Sequence, residues 1–150
     1  MIITQGIVLR FGGSAAKMEN WRVLLAESQP KLRQNMVKFL TETNGVSLVA
    51  KVANGWDVMF TSSQLQPDIV LLDFTMPGLN GTEVASLLKR GLPQVLAVIL
   101  LNEDENDEGH IKAIEQCGAC AYLFKNRLAQ DLPPLLSRLE QTKKGNGISN

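Results

Sequence analysis

An excess of charge of either sign is missing from this 150-residue chain. Fifteen basic residues balance fifteen acidic ones, so no overall field draws it toward nucleic acid or an anionic membrane. Also missing is any apolar run of about eighteen residues, which excludes a membrane-spanning helix. The opening MIITQGIVLRF has no basic residue ahead of its apolar part and no clear small-residue cleavage site, so it does not read as a secretory signal. Two cysteines, Cys117 and Cys120, are too few for a secreted disulfide scaffold, and a single histidine, His110, leaves them a poor zinc site. Together these absences point to a soluble cytoplasmic protein with no direct contact to nucleic acid or membrane.

What is present is 45% hydrophobic content, enough for one globular domain with a proper core. Residues 1–20 fit no later pattern, and FGGSAAKMEN is flexible in composition, so this segment is expected to be a leader or flexible arm. From Trp21 strands and helices alternate. WRVLLA, VSLVAKVA, PDIVLLD, VLAVILL and AYLF read as strands, while Leu32, Met36, Phe39 and Leu40 mark the first intervening helix. Trp56, Met59 and Phe60 give a second helical stripe, with Trp56 and Phe60 expected in the core. Val84, Leu87 and Leu88 mark a third helix, and Ile111 and Ile114 a fourth. The last helix carries Leu132, Leu135, Leu136 and Leu139, with Asp131 expected as its cap and Pro133 and Pro134 in its first turn. Five such units over residues 21–140 predict an α/β fold, a doubly wound parallel sheet with right-handed crossovers. The polar tail 141–150 is expected to be a linker or disordered end.

The stretch IVLLDFTMPG runs four aliphatic residues into one carboxylate, Asp73. A strand buried on both faces must bring such a residue to its carboxyl end, where sheets of this kind bind ligands. Glu27 and Ser28, Leu101 and Asn102, and Lys125 end the neighbouring strands and would converge there. Glu27 and Asp73, with the Thr75 carbonyl, suit a hard cation such as Mg²⁺, and Lys125 offers a point charge for a phosphoryl oxygen. That constellation suits phosphoryl transfer onto Asp73 as nucleophile.

VLLAESQPKLR, ANGWDVM, PDIVLLDFTMPGLNGTEVASLL and CGACAYLFK together make the sequence similar to the receiver domain of bacterial response regulators, of the type that precedes a helix-turn-helix output domain. The most specific feature is Asp-x-x-Met-Pro-Gly-x-x-Gly closing a buried strand. The resemblance implies the flavodoxin-like (βα)5 receiver fold with strand order 2-1-3-4-5. It also implies phosphorelay signalling rather than enzyme activity: a sensor histidine kinase phosphorylates Asp73, Mg²⁺ screens the charge, and the face of the last two helices meets an output domain, a partner or a second copy. Lys125 would bind phosphate, and Tyr122 matches the aromatic that moves with the switch.

Two positions depart from that pattern. Most receivers have adjacent acids after the first strand, the second on the metal; here the pair is Glu27 and Ser28, which should weaken Mg²⁺ binding. The family also places a Ser or Thr at the end of the fourth strand, yet none lies between Val95 and Lys125, and Asn102 is the only hydrogen-bond donor at that strand end. A pseudo-receiver, working as a phosphorylation-independent interaction module, is therefore an alternative, with Lys125 neutralising Asp73 permanently. A thiol-redox protein using Cys117 and Cys120 is a further one, although CGAC closes a helix instead of opening one, the reverse of redox pairs. The acids of NEDENDEGH read as a solvated loop leading into a helix N-terminus, or as a recognition loop for a basic partner surface. Lys31, Arg33 and Lys38 read as a solvated helix face.

Overall fold

A computed structural model describes residues 8–11, 14–17 and 20–149, with side chains for residues 20–143. Most of the expected arm lies outside the described residues, but two strands within it, β1 (Val8–Phe11) and β2 (Ser14–Lys17), pair antiparallel. The main sheet has five parallel strands: β3 (Trp21–Ala26), β4 (Val46–Val52), β5 (Ile69–Asp73), β6 (Leu96–Leu101) and β7 (Ala121–Phe124). They lie in the order β4-β3-β5-β6-β7, which is 2-1-3-4-5 within this sheet. The chain therefore leaves β3 toward one edge, then returns past it, and the switch point falls between β3 and β5.

Strand residues alternate between two cores, as a sheet covered on both faces requires. Leu24, Ala26, Val70, Leu72, Ile99 and Leu101 pack under α2 (Gly55–Leu65), α3 (Gly81–Gly91) and α4 (Glu108–Gln116). Val23, Leu25, Ile69, Leu71, Val98 and Leu100 pack under α1 (Pro30–Thr41) and α5 (Leu128–Ser149). Asn54, Asn80 and Asp107 each cap a following helix by accepting a backbone N–H. Gly45 and Gly118, both at positive φ, follow the ends of α1 and α4.

Two expectations are corrected. Trp56 and Phe60 are not core residues; they are 63% and 67% exposed. The buried face of α2 is Gly55, Val58 and Ser62, and a pair four apart starting one residue later turns outward on a 3.6-residue period. The last helix begins at Leu128 rather than at Asp131, so both prolines sit in its second turn and two backbone hydrogen bonds are missing there. Burial of Leu128, Leu132, Leu135 and Leu136 offsets that loss. Asp131 is not the cap: it forms a forked pair with the Arg127 guanidinium at 3.1 and 3.3 Å. The same helix continues through the polar segment as far as Ser149.

Candidate functional site

Three strand ends deliver three charged side chains to the switch point. Glu27, fully buried just after β3, accepts the Gln29 N–H at 3.1 Å where α1 begins. Asp73 is 2% exposed at the end of β5, and the Lys125 side chain, 5% exposed, enters from the turn after β7. The Lys125 ammonium lies 2.8 Å from Asp73 Oδ1 and 2.9 Å from Glu27 Oε1. Burial alone would lower its pKa, but hydrogen bonds and charge from Asp73 and Glu27 outweigh that and hold it above 10.5. Glu27 is pushed up from 4.5, first by burial and secondarily by the charge of Asp73, against the lowering influence of Lys125 and the Gln29 amide.

Every side of the Asp73 carboxylate meets a donor. Oδ1 accepts from Lys125 and from the Thr75 N–H at 3.3 Å; Oδ2 accepts from the Ser28 hydroxyl at 2.9 Å and the Ser28 N–H at 3.3 Å. Ser28 thus bonds directly to the nucleophile candidate from the place where the family's second acid stands. The resemblance identified the substitution, but the bond needs the turn of the chain after β3 to be visible.

The two glycines of the Asp73 motif have steric causes. Gly78 has φ of +82°, and a Cβ there would meet the Trp56 indole at 2.7 Å. At Gly81 a Cβ would lie 2.6 Å from the Asp73 carbonyl oxygen, because α3 starts against the backbone that carries the acid. The Gly81 N–H closes this turn onto the Phe74 carbonyl at 2.9 Å.

The remaining expected residues are spread more widely. Leu100 and Leu101 end β6 fully buried, so neither presents a polar group. Asn102 follows them at the mouth of the site, in a hollow it shares with Leu32, Glu103, Asp104, Lys125 and Asn126. Tyr122 is 38% exposed on β7, edge-on to Phe124. A residue not singled out from the sequence, Glu105, reaches the site through the Thr75 hydroxyl at 2.7 Å. Cys117 is buried behind α4 with its thiol on the Ile114 carbonyl, and burial pushes its pKa up, the opposite of what a redox thiolate needs.

The oxygens present fit a small hard cation. Glu27 Oε1 is fully buried with the Lys125 ammonium, 2.9 Å away and shared with Asp73, as its one polar neighbour among the described residues, which leaves room on that oxygen for a further positive partner. Asp73 Oδ2 and the Thr75 carbonyl oxygen both lie around the Ser28 hydroxyl, at 2.9 and 3.5 Å. Glu27, Asp73 and the Thr75 carbonyl would hold Mg²⁺, with waters completing its shell. The donor set carries two carboxylates where three would bind more tightly.

A five-stranded doubly wound parallel sheet in the order 2-1-3-4-5, with two acids and an ammonium at its switch point, defines the flavodoxin-like receiver fold. The family model of the response regulator receiver domain matches residues 23–137, and the chain belongs to that family. It is 33% identical over 121 residues to an uncharacterized response regulatory protein of Yersinia pestis, covering 80% of this chain and 48% of the relative. It is 30% identical over 111 residues to the uncharacterized transcriptional regulatory protein YxjL of Bacillus subtilis, covering 74% and 50%. The signal receiver domain of the putative response regulator NarL from Mycobacterium tuberculosis superposes with a TM-score of 0.75 at 21% identity, covering 82% of this chain and 98% of that one. The chain spans about half the length of the curated relatives it matches.

Proposed function

We propose that this receiver accepts a phosphoryl group on Asp73 from the phosphohistidine of a sensor histidine kinase and controls an output domain or partner. The observation that carries the reading is the Asp73 carboxylate, almost fully buried at the end of β5 with the Lys125 ammonium 2.8 Å from one oxygen. In the transfer an Asp73 oxygen attacks phosphorus as the P–N bond to the kinase imidazole breaks, and the departing imidazole takes up a proton. Lys125, kept charged by its two carboxylate neighbours, holds the phosphoryl oxygens, while Glu27 and the Thr75 carbonyl shape the pocket. Mg²⁺, when bound, supplies positive charge that offsets the phosphoryl oxygens and the carboxylates.

The exposed Tyr122 and the surface of α4 and α5 suit an output contact, whether with a partner, a second copy of the chain or a further domain. The regulatory name of the B. subtilis relative and its greater length support transcription as the output. This reading makes residues 21–140 the receiver unit of a cytoplasmic protein, 1–20 an arm and 141–150 a connecting segment. Incubating the chain with a small acyl phosphate and Mg²⁺ should add the mass of one phosphoryl group, and Asp73→Asn should abolish the gain.

One observation favours a second reading, a phosphorylation-independent interaction module. Ser28 and Lys125 already satisfy both Asp73 oxygens, so the carboxylate is fully partnered without phosphate or metal. No mass gain in the same experiment, even at high Mg²⁺, would decide for it.

A further inference from the structure

At the end of β6, where the resemblance places a hydroxyl that bonds the incoming phosphoryl group, this chain has only fully buried Leu100 and Leu101. A hydroxyl does reach the site by another route. Thr75, two residues after Asp73, places its N–H on Asp73 Oδ1 and its hydroxyl on Glu105 Oε2 at 2.7 Å. One residue therefore touches both carboxylates. The other Glu105 oxygen accepts the Asn102 N–H at 2.7 Å, and the Glu105 carbonyl lies 3.0 Å from His110 Nδ1. His110, in the first turn of α4, packs edge-on against Phe74, with ring centroids 4.8 Å apart. Glu105 thus clasps the loop after β5 to the loop after β6 and to the start of α4. Its carboxylate enters no ion pair among the described residues, so hydrogen bonds alone hold it beside an already anionic site.

We propose that Thr75 and Glu105 are the switch pair of this receiver. In the unmodified chain Glu105 holds the Thr75 hydroxyl and pins the segment 102–110; a phosphoryl group on Asp73 repels Glu105, frees that hydroxyl to bond a phosphoryl oxygen, and unpins α4. The release step rests on the phosphoacceptor reading of Asp73; the clasp itself does not. A phosphoryl group adds roughly one and a half to two negative charges at neutral pH, on the carboxylate that the Thr75 N–H already contacts. The hydroxyl then has a stronger acceptor on one side and its former partner driven off on the other. Asp107 and His110, which pair with each other, move with the freed helix start.

Amide hydrogen exchange over residues 102–110 of the 150-residue chain tests this. In the unmodified protein, Glu105→Ala and Thr75→Val each remove one end of the clasp and should accelerate exchange in this segment about tenfold. Unchanged exchange in both overturns the clasp. Loading the wild type with Mg²⁺ and beryllofluoride, a phosphoryl mimic, should accelerate the same segment. Glu105→Gln keeps one acceptor oxygen for the Asn102 N–H and an amide NH2 that can donate to the Thr75 hydroxyl oxygen, but lacks the charge, so it should exchange slowly before loading and remain slow after it. A Gln variant that opens like the wild type overturns release by charge. The lifetime of the phosphoryl group on Asp73 should change at least threefold in Thr75→Val; an equal lifetime overturns the part given to its hydroxyl. A wild type that gains no phosphoryl mass from an acyl phosphate defeats the phosphoacceptor reading and the release step with it, and Glu105→Ala then still decides the clasp.

Discussion

At the scale of single residues the site is a closed exchange of one ammonium and two buried carboxylates. Removing the cation leaves Glu27 and Asp73 facing each other with little solvent, and loss of one partner from a buried pair costs about 3–5 kcal/mol. Lys125→Met should lower stability by that order near neutral pH, read from the urea midpoint; a change near zero would mean that water already reaches the pair. Glu27 adds a pH dependence. Its pKa is raised above 4.5 by burial first, so the folded chain keeps a proton that the unfolded chain has already released. The stability that Glu27 contributes is fully present below the unfolded value and is lost as pH rises through the folded value. In metal-free buffer, Glu27→Gln should flatten this decline in urea titrations run from acid to neutral pH. A slope as steep as that of the wild type would assign the decline to another group.

At the scale of elements, Gly81 ties a helix to the acid. Any side chain there meets the carbonyl of Asp73, and the backbone cannot yield as a flexible side chain would. Gly81→Ala should cost about 1–3 kcal/mol and weaken any chemistry at Asp73 together with the fold, measured by thermal melting alongside phosphoryl uptake. The three central strands, β3, β5 and β6, were legible in the sequence because each is a short, largely buried apolar run bounded by turns, and the half-buried edge strands β4 and β7 because they alternate with the helices. The convergence of Glu27, Asp73 and Lys125 was legible for the same reason, since carboxyl ends of parallel strands share one edge. Helix faces were harder to read. Trp56 and Phe60 look like core from their chemistry, yet Val58 and Ser62 are the residues that α2 turns toward the sheet. The start of α5 was missed because two prolines suggest a first turn, and only leucines packed on the sheet show that the helix begins earlier. Glu105 was hidden within a run of acids, where sequence cannot tell which one folds inward.

At the scale of the whole molecule, metal binding and folding are linked, because a cation that needs Glu27, Asp73 and the Thr75 carbonyl together binds only the folded chain. Mg²⁺ should therefore raise the melting temperature of the wild type modestly, and that of Ser28→Asp by more at equal concentration, as a third carboxylate joins the site. Equal shifts would show that residue 28 does not face the ion.

The packing of Trp56 over Gly78 has a practical side. The molecule has only two tryptophans, and they sit at opposite ends of the sheet: Trp21 opens β3 beneath the Lys143 ammonium, while Trp56 covers the loop that leaves Asp73. With Trp21→Phe in place, the remaining indole is a built-in fluorophore resting on the loop that leaves Asp73, and its emission should report ion and phosphoryl binding at that acid without any label.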